Sequence, residues 1–149
     1  MIKNDDVIGL LVKTFEDFEI EQDYADTLFT IAEMFSLYLL EHYQKKSLDK
    51  LQRGLSFIEK LQVEGDDEIK ELAIVGFLEG ILTHWISSDV DPEEIFEMLG
   101  LESKNSWKEL NKFWDGILTN PDGSKNTFEF CSPTYKFFGC RICPPKHAK

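Results

Sequence analysis

Four residues near the end of the sequence have side chains that bind transition metals. They are the three cysteines of the chain and its last histidine, in the order Cys131, Cys140, Cys143 and His147. Thiolates and imidazole are the ligands that Zn²⁺ prefers, and three cysteines with one histidine complete a tetrahedral site. Ordinary reduced cysteines are the simpler interpretation, because a lone Cys-x2-Cys pair is a weak motif. A redox pair would require a surrounding βαβ pattern, which the sequence lacks. We therefore expect no cofactor, with zinc on these four residues as the alternative.

The remaining histidines do not belong to a catalytic motif. His42 follows the apolar stripe of one predicted helix, and His84 lies near the end of another, five residues after Glu79. A general base at His84 oriented by Glu79 is one interpretation, and a histidine satisfied within the core is the commoner one. The sequence contains no glycine-rich phosphate loop, nucleophile elbow, His-Glu-x-x-His motif or calcium loop. We expect no enzymatic activity.

Acidic residues are concentrated in three runs near predicted helix ends. Two runs supply the residues that we expect to contact a partner, namely Asp66, Asp67, Glu68, Asp89, Asp91 and Glu94. The third run extends from Glu16 to Asp26. A helical stack can bring such ends to one side, where carboxylates would mimic phosphates and enter a basic cleft. In the alternative interpretation the acids cap helices and face water.

Composition restricts the class of protein further. The chain has 149 residues, is 42% hydrophobic and carries a net charge of -12. A field of that sign disfavours direct binding to nucleic acid, which depends on Lys and Arg. No apolar run reaches the length that a membrane span needs, and the first residues do not form a signal peptide. We expect a cytoplasmic protein without a membrane partner, and we leave its oligomeric state open.

Hydrophobic periodicity predicts an all-α fold, arranged as a bundle or short stack of about six helices. The predicted helices occupy residues 4–19, 23–43, 48–61 and 67–87, then a short one at 91–100, then one beginning at Ser103 or Ser106. The predicted N-cap of the first is Asn4 or Asp5, and Gly100 is the predicted C-cap of the short helix. The fourth helix is apolar almost all round, so we expect it to be central. Its strip of Ala73, Gly76 and Gly80 should let another helix of the domain pack closely.

The chain divides into two regions of different character. Residues 1–120 hold 26 acidic and 11 basic side chains, whereas residues 121–149 hold 2 and 5. The second region is rich in Cys, Pro and aromatic residues and has no helical period. We predict an acidic α-helical domain over 1–120 and an irregular basic extension over 121–149, with Thr127–Phe130 as a candidate short strand.

Three segments carry a resemblance to a known class of protein. They are Val75–Gly80, Met98–Lys104 and Ser106–Trp114. These segments resemble an uncharacterised family of small helical bacterial proteins, similar to the immunity proteins that accompany polymorphic or contact-dependent toxins. The similarity spans about residues 67–116. It implies binding to a cognate toxin and transfers no catalytic residue.

The sequence thus favours a bacterial immunity protein that binds a cognate protein toxin and blocks its active-site cleft. The acidic composition favours a basic nuclease as the toxin. The alternative is a zinc-stabilised adaptor or regulatory protein that acts through the Cys/His extension.

Overall fold

A computed structural model describes residues 1–21 and 27–118 of the chain, with side chains through residue 113. The fold is all-α, as predicted from the sequence. The helices are α1 (Asn4–Thr14), α2 (Leu28–Gln44), α3 (Leu48–Glu64), α4 (Asp67–Glu71), a π-helical segment (Leu72–Leu78), α5 (Glu79–Ser87), a 3-10 helix (Pro92–Met98) and α6 (Leu101–Leu118). Among the described residues, the one β-bridge pairs Ile2 with Gly65.

A continuous helical rod forms the centre of the fold. It consists of α4, the π-helical segment and α5, which follow one another from Asp67 to Ser87 and are called the central helix below. Its bounds match the predicted fourth helix, and most of its apolar side chains are fully buried. The π-helical segment was not predicted, because hydrophobic periodicity does not reveal a change in hydrogen-bond register.

The predicted strip of small residues lies where the central helix packs against α2. A Cβ atom added at Gly76 would lie 3.1 Å from the Cβ of Ala32, and one added at Gly80 would lie 2.5 Å from Ser36 Oγ. Further along the same contact, the indole nitrogen of Trp85 donates a hydrogen bond of 3.2 Å to the Ser36 carbonyl. The two helices therefore run parallel at close range, and the prediction of close packing within the domain is confirmed.

Aromatic rings join the chain that follows α1 to α2 and α3. The Phe15 ring lies 5.0 Å from Phe35 and 5.7 Å from Phe57, and the Phe18 ring lies 5.2 Å from Phe35. Phe15 and Phe18 are buried, yet both lie beyond the end of α1 at Thr14. Such edge-to-face contacts stabilise a fold beyond simple burial. The predicted helix over 4–19 is thus too long, because its apolar spacing continues into a packed turn.

The predicted starts of two helices are wrong. The N-cap of α1 is Lys3 and not Asn4 or Asp5, since the Asp6 carboxylate accepts a hydrogen bond of 3.0 Å from the Lys3 backbone N–H. Helix α6 begins at Leu101, ahead of the predicted Ser103 or Ser106.

Gly100 leads into α6 and is not the C-cap of the 3-10 helix, a position that Leu99 occupies. Glu59 of α3 accepts hydrogen bonds from the backbone N–H groups of Glu102 (3.0 Å) and Ser103 (2.8 Å). A Cβ at Gly100 would overlap the Glu59 side chain. Glycine therefore leaves room for a carboxylate from another helix to satisfy the first N–H groups of α6.

Other predicted boundaries are confirmed or lie outside the described residues. Asp66 and Asp91 are N-caps, as the sequence indicated, although the helix after Asp91 is of the 3-10 type. The structure does not describe residues 22–26 and 119–149. The start predicted for the second helix lies in the first of these ranges, and the predicted extension with its candidate strand lies in the second. No helix in the described ranges is long and apolar enough to cross a membrane.

Candidate functional site

The six acidic residues expected to contact a partner lie near opposite ends of the central helix. Asp66, Asp67 and Glu68 are at its beginning, whereas Asp89, Asp91 and Glu94 follow its end. A helical run of this length spans about 30 Å at 1.5 Å per residue. The two runs therefore do not form one compact acidic face, which corrects the expectation that the helical stack brings them to one side.

Half of these six carboxylates have structural roles. Asp66 accepts a hydrogen bond of 3.0 Å from the Ile69 N–H, and Asp91 accepts one of 2.9 Å from the Glu93 N–H. Glu68 accepts a hydrogen bond of 2.7 Å from the Asn4 side chain. Asp66 is half-buried, and the side chains of the other five residues are exposed. Helix capping, the alternative interpretation of these acids, thus accounts for Asp66 and Asp91.

Residues 17–21, which belong to the third acidic run and were not among the predicted partner contacts, form a pocket with α2. The pocket has a volume of about 440 Å³ and combines apolar side chains with four carboxylates. Its lining residues are Asp17, Phe18, Glu19, Glu21, Met34, Leu37, Tyr38 and Glu41. Phe18 is buried, Met34 and Tyr38 are half-buried, and the four carboxylates are exposed. We call this feature the acidic pocket; it offers an apolar floor inside an acidic rim.

Asp17 fixes one wall of the acidic pocket to two helices. Its carboxylate accepts hydrogen bonds from the Tyr38 hydroxyl (2.7 Å) on α2 and from the Lys50 ammonium (2.8 Å) on α3. His42 Nε2 lies 3.5 Å from the same carboxylate, and the His42 ring packs edge-on against Tyr38 at 4.4 Å. These contacts hold the segment after α1 against the end of α2.

The same contacts shift the pKa values of both partners. The Lys50 and Tyr38 hydrogen bonds lower the pKa of Asp17 from 3.8 to about 2. Burial, and next the hydrogen bond to Asp17, raise the pKa of Tyr38. Asp17 is therefore charged at any physiological pH while Tyr38 keeps its proton. The hydrogen bond from the Tyr38 hydroxyl to the Asp17 carboxylate requires that Asp17 is ionised and Tyr38 is protonated.

We predict that replacing Asp17 with asparagine lowers the free energy of unfolding by about 1 kcal/mol at neutral pH, a small value because half-exposed ion pairs are screened. The pKa of Asp17 is depressed in the folded state, so its stabilising contribution is present above the unfolded pKa of 3.8 and is lost as pH falls toward about 2. Urea unfolding of both proteins at several pH values measures the difference. It should shrink between about pH 4 and pH 2, and a difference independent of pH would contradict the assignment. The exposed neighbour Glu16 provides the matched control, Glu16→Gln.

The carboxylates of the acidic pocket differ in the ion pairs that they form within the described part of the chain. Glu41 forms an ion pair of 2.6 Å with Lys45, which lowers the pKa of Glu41. Glu19 and Glu21, in contrast, form no ion pair with any residue that the structure describes. An exposed carboxylate without an internal partner can pair with a cation on another molecule at little cost in broken contacts. Glu19 and Glu21 are thus the strongest candidates for intermolecular contacts.

Trp107, His84 and Glu79 lie in or beside the packed interior. Trp107 is fully buried, and its indole N–H lies 2.9 and 3.0 Å from the two carboxylate oxygens of Glu93. Trp107 therefore belongs to the core. Burial lowers the pKa of His84 and raises that of Glu79. These shifts have burial as their cause and do not indicate a mutual acid–base pair.

The four candidate metal ligands belong to the extension predicted over residues 121–149. Cys131, Cys140, Cys143 and His147 all lie outside the described residues. Within residues 1–21 and 27–118, no group of three or more His, Cys, Asp and Glu side chains is arranged to hold a metal ion.

Comparison with known proteins identifies a family. The model of a domain of unknown function, DUF7674, matches residues 8–115 of the chain. The match includes the acidic pocket and the central helix. No curated protein and no solved structure matches the chain.

Proposed function

This chain belongs to the DUF7674 family, and we propose that it is an immunity-type protein of the bacterial cytoplasm. It binds a cognate protein toxin and blocks a basic active-site cleft, such as that of a nuclease. The acidic pocket supports this proposal most directly, because Glu19 and Glu21 lie beside an apolar floor and form no ion pair with another described residue. That combination suits a surface that binds another protein through charge and apolar contact together.

The net charge of the domain favours a basic partner. Residues 1–120 contain 26 acidic and 11 basic side chains. Long-range attraction of that kind accelerates encounter with a basic protein and disfavours acidic ones. A nuclease must bind phosphates, and it does so with Lys and Arg in its cleft. Carboxylates at phosphate-like positions would compete with the nucleic acid for those cations.

The apolar floor of the pocket supplies free energy of binding that the charges alone would not provide. Surface ion pairs contribute little free energy each, whereas an aromatic or aliphatic anchor buried in a pocket dominates many interfaces. Phe18, Met34 and Leu37 offer such a pocket, and Leu37 is 47% exposed in the free protein. A partner residue with an aliphatic stem and a cationic end, Lys or Arg, would fill the floor and reach the rim.

Asp17 prepares the acidic pocket for binding. Its hydrogen bonds to Tyr38 and Lys50 fix the segment that carries Glu19 and Glu21 before any partner arrives. A preformed surface loses less conformational entropy on association than a mobile one. In the proposed mechanism Asp17 thus holds the pocket in its shape, and Glu19 and Glu21 contact the toxin.

Co-expression in a bacterial host tests the proposed function. The chain is produced together with the toxic C-terminal domain encoded by the neighbouring gene, and growth is compared with the toxic domain alone. We expect growth to be restored and the two proteins to co-purify. Continued growth arrest in cells that contain the folded chain would contradict the proposal.

A further inference from the structure

Another pocket lies between α1 and α3, and basic side chains stand at its rim. It has a volume of about 310 Å³, close to the roughly 300 Å³ at which small-molecule sites begin. Its lining residues include Leu10, Gln52, Arg53, Ser56, Phe57 and Lys60. Within the described ranges no acidic side chain lines it, although residues 1–120 hold 26 acidic and 11 basic side chains. We call this feature the basic pocket.

Arg53 is held in place at the rim of the basic pocket. Its guanidinium donates a hydrogen bond of 2.8 Å to the Thr14 carbonyl at the end of α1, and it lies 5.6 Å from the centre of the Phe15 ring. A guanidinium has five N–H donors, and this is the one hydrogen bond that Arg53 donates to a described residue. Because these contacts fix the group in advance, a ligand that accepts from the remaining donors loses less conformational entropy on binding.

Two further donors lie on the same face of α3. Arg53, Ser56 and Lys60 follow one another at helical spacing, so their side chains are neighbours along one side of the helix. Ser56 Oγ accepts a hydrogen bond of 3.3 Å from the Gln52 amide, which leaves the hydroxyl proton to be donated to a ligand. The Gln52 amide is anchored by a hydrogen bond of 3.0 Å to the Met98 carbonyl. Neither Arg53 nor Lys60 forms an ion pair with another residue that the structure describes.

The apolar floor of the basic pocket determines what kind of anion fits. Phe57 is buried and Leu10 is half-buried. A hydrated inorganic anion gains nothing from such a floor, whereas an apolar group placed on it is removed from water. We propose that the basic pocket binds a small organic carboxylate with an aliphatic or aromatic body. The carboxylate accepts hydrogen bonds from Arg53, Ser56 and Lys60, and the body covers Leu10 and Phe57.

The overall charge of the protein favours a carboxylate over a phosphate ester as the ligand. The net charge of the chain is -12, and its repulsion of an anion grows with the charge of that anion. A phosphate monoester carries about -1.5 to -2 at neutral pH, whereas a carboxylate carries a single negative charge. The Arg53 guanidinium can bind a carboxylate through two parallel N–H···O hydrogen bonds. The basic pocket shares no lining residue with the acidic pocket, so the inference does not depend on the proposed toxin.

Titration of the isotopically labelled full chain with 3-phenylpropionate, followed by NMR chemical shifts, tests the proposal. For a probe of this size we expect saturable binding with a dissociation constant of about 1 mM. The shifts should be centred on residues 10–14 and 52–60. The uncharged amide of the same acid should bind at least about fivefold more weakly, because it lacks the charge-assisted hydrogen bonds. Equal affinity for acid and amide, shifts centred on other elements, or no saturation at about ten times the expected dissociation constant would overturn the proposal.

A matched pair of substitutions tests where the carboxylate binds. Lys60→Gln keeps a polar side chain and removes one cation from the basic pocket, so it should weaken binding of 3-phenylpropionate about fivefold. Lys70→Gln removes a cation from the central helix, outside the pocket, and should change the affinity less than about twofold. Both lysines are exposed and neither forms an ion pair with another described residue, so both variants should remain folded. Equal affinities of the two folded variants would overturn the assignment of the carboxylate to this pocket.

Discussion

Replacing Gly65 with alanine is expected to lower the free energy of unfolding by about 3 kcal/mol, because the site has no space for a methyl group. Gly65 ends α3, and its N–H donates a hydrogen bond of 2.9 Å to the Leu61 carbonyl. A Cβ at this position would overlap that carbonyl oxygen and the side chain of Ile69, which is fully buried. The φ angle of Gly65 is -80°, so the cost comes from the overlap and not from the backbone conformation.

The overlap would be relieved only by moving a corner that several segments share. The Ile2 N–H donates a hydrogen bond of 2.8 Å to the Glu64 carbonyl, and the Asp66 N–H donates one of 3.0 Å to the Ile2 carbonyl. Displacing Gly65 therefore disturbs the N-terminal segment, the end of α3 and the start of the central helix together. Buried backbone groups that lose partners add to the cost.

Gly9 provides a matched control for this prediction. It lies in α1 with nothing within 4 Å of an added Cβ. Gly9→Ala should raise the free energy of unfolding by about 0.5–1 kcal/mol, since alanine favours a helix. Urea unfolding monitored by circular dichroism measures both variants. A Gly65→Ala protein as stable as the wild type would show that the corner is not packed as described.

The parts of the fold that the sequence predicts depend on local chemistry. The N-caps at Asp66 and Asp91 follow from acids placed just before apolar periodic segments. The close contact of Gly76 and Gly80 with α2 follows from small residues at helical spacing. Trp107 lies in the core because it belongs to the apolar stripe of an amphipathic helix.

The features that the sequence does not predict require contacts between distant segments. Gly100 resembles a C-cap in sequence, and only the fold shows that Glu59 comes from α3 to the start of α6. Likewise, Asp17 meets Lys50 across 33 positions of sequence. Counting acids could not separate those that cap helices from those that we propose as partner contacts. One signal was present: Tyr38 and Glu41 lie one helical turn apart on α2, so an acid and an aromatic residue share a face.

Reversing the charges of Glu19 and Glu21 in the acidic pocket should weaken binding to the proposed toxin domain about 100-fold, or about 2.7 kcal/mol. The variant is Glu19→Lys combined with Glu21→Lys. Each change removes an attraction to a basic cleft and introduces a repulsion. Neither residue forms an internal ion pair with another described residue, so the free energy of unfolding should change by less than about 0.5 kcal/mol.

A second pair of substitutions controls for net charge. Asp67→Lys combined with Glu71→Lys changes the charge by the same amount at the beginning of the central helix, and both residues are exposed. If the acidic pocket is the binding surface, this pair should slow association modestly and weaken affinity less than about fivefold. Equal weakening by both pairs would indicate a general charge effect and not a specific pocket.

The most direct test of the central claim is calorimetric titration of the chain with the purified toxin domain, in an inactive form, over a range of salt concentrations. The proposal predicts a stoichiometric complex whose affinity falls as salt rises, since paired charges are screened. It also predicts that the Glu19/Glu21 charge-reversed chain remains folded and binds about 100-fold more weakly. Absence of heat and of any complex at low salt, with both proteins folded, would contradict the claim that this domain neutralises a basic toxin.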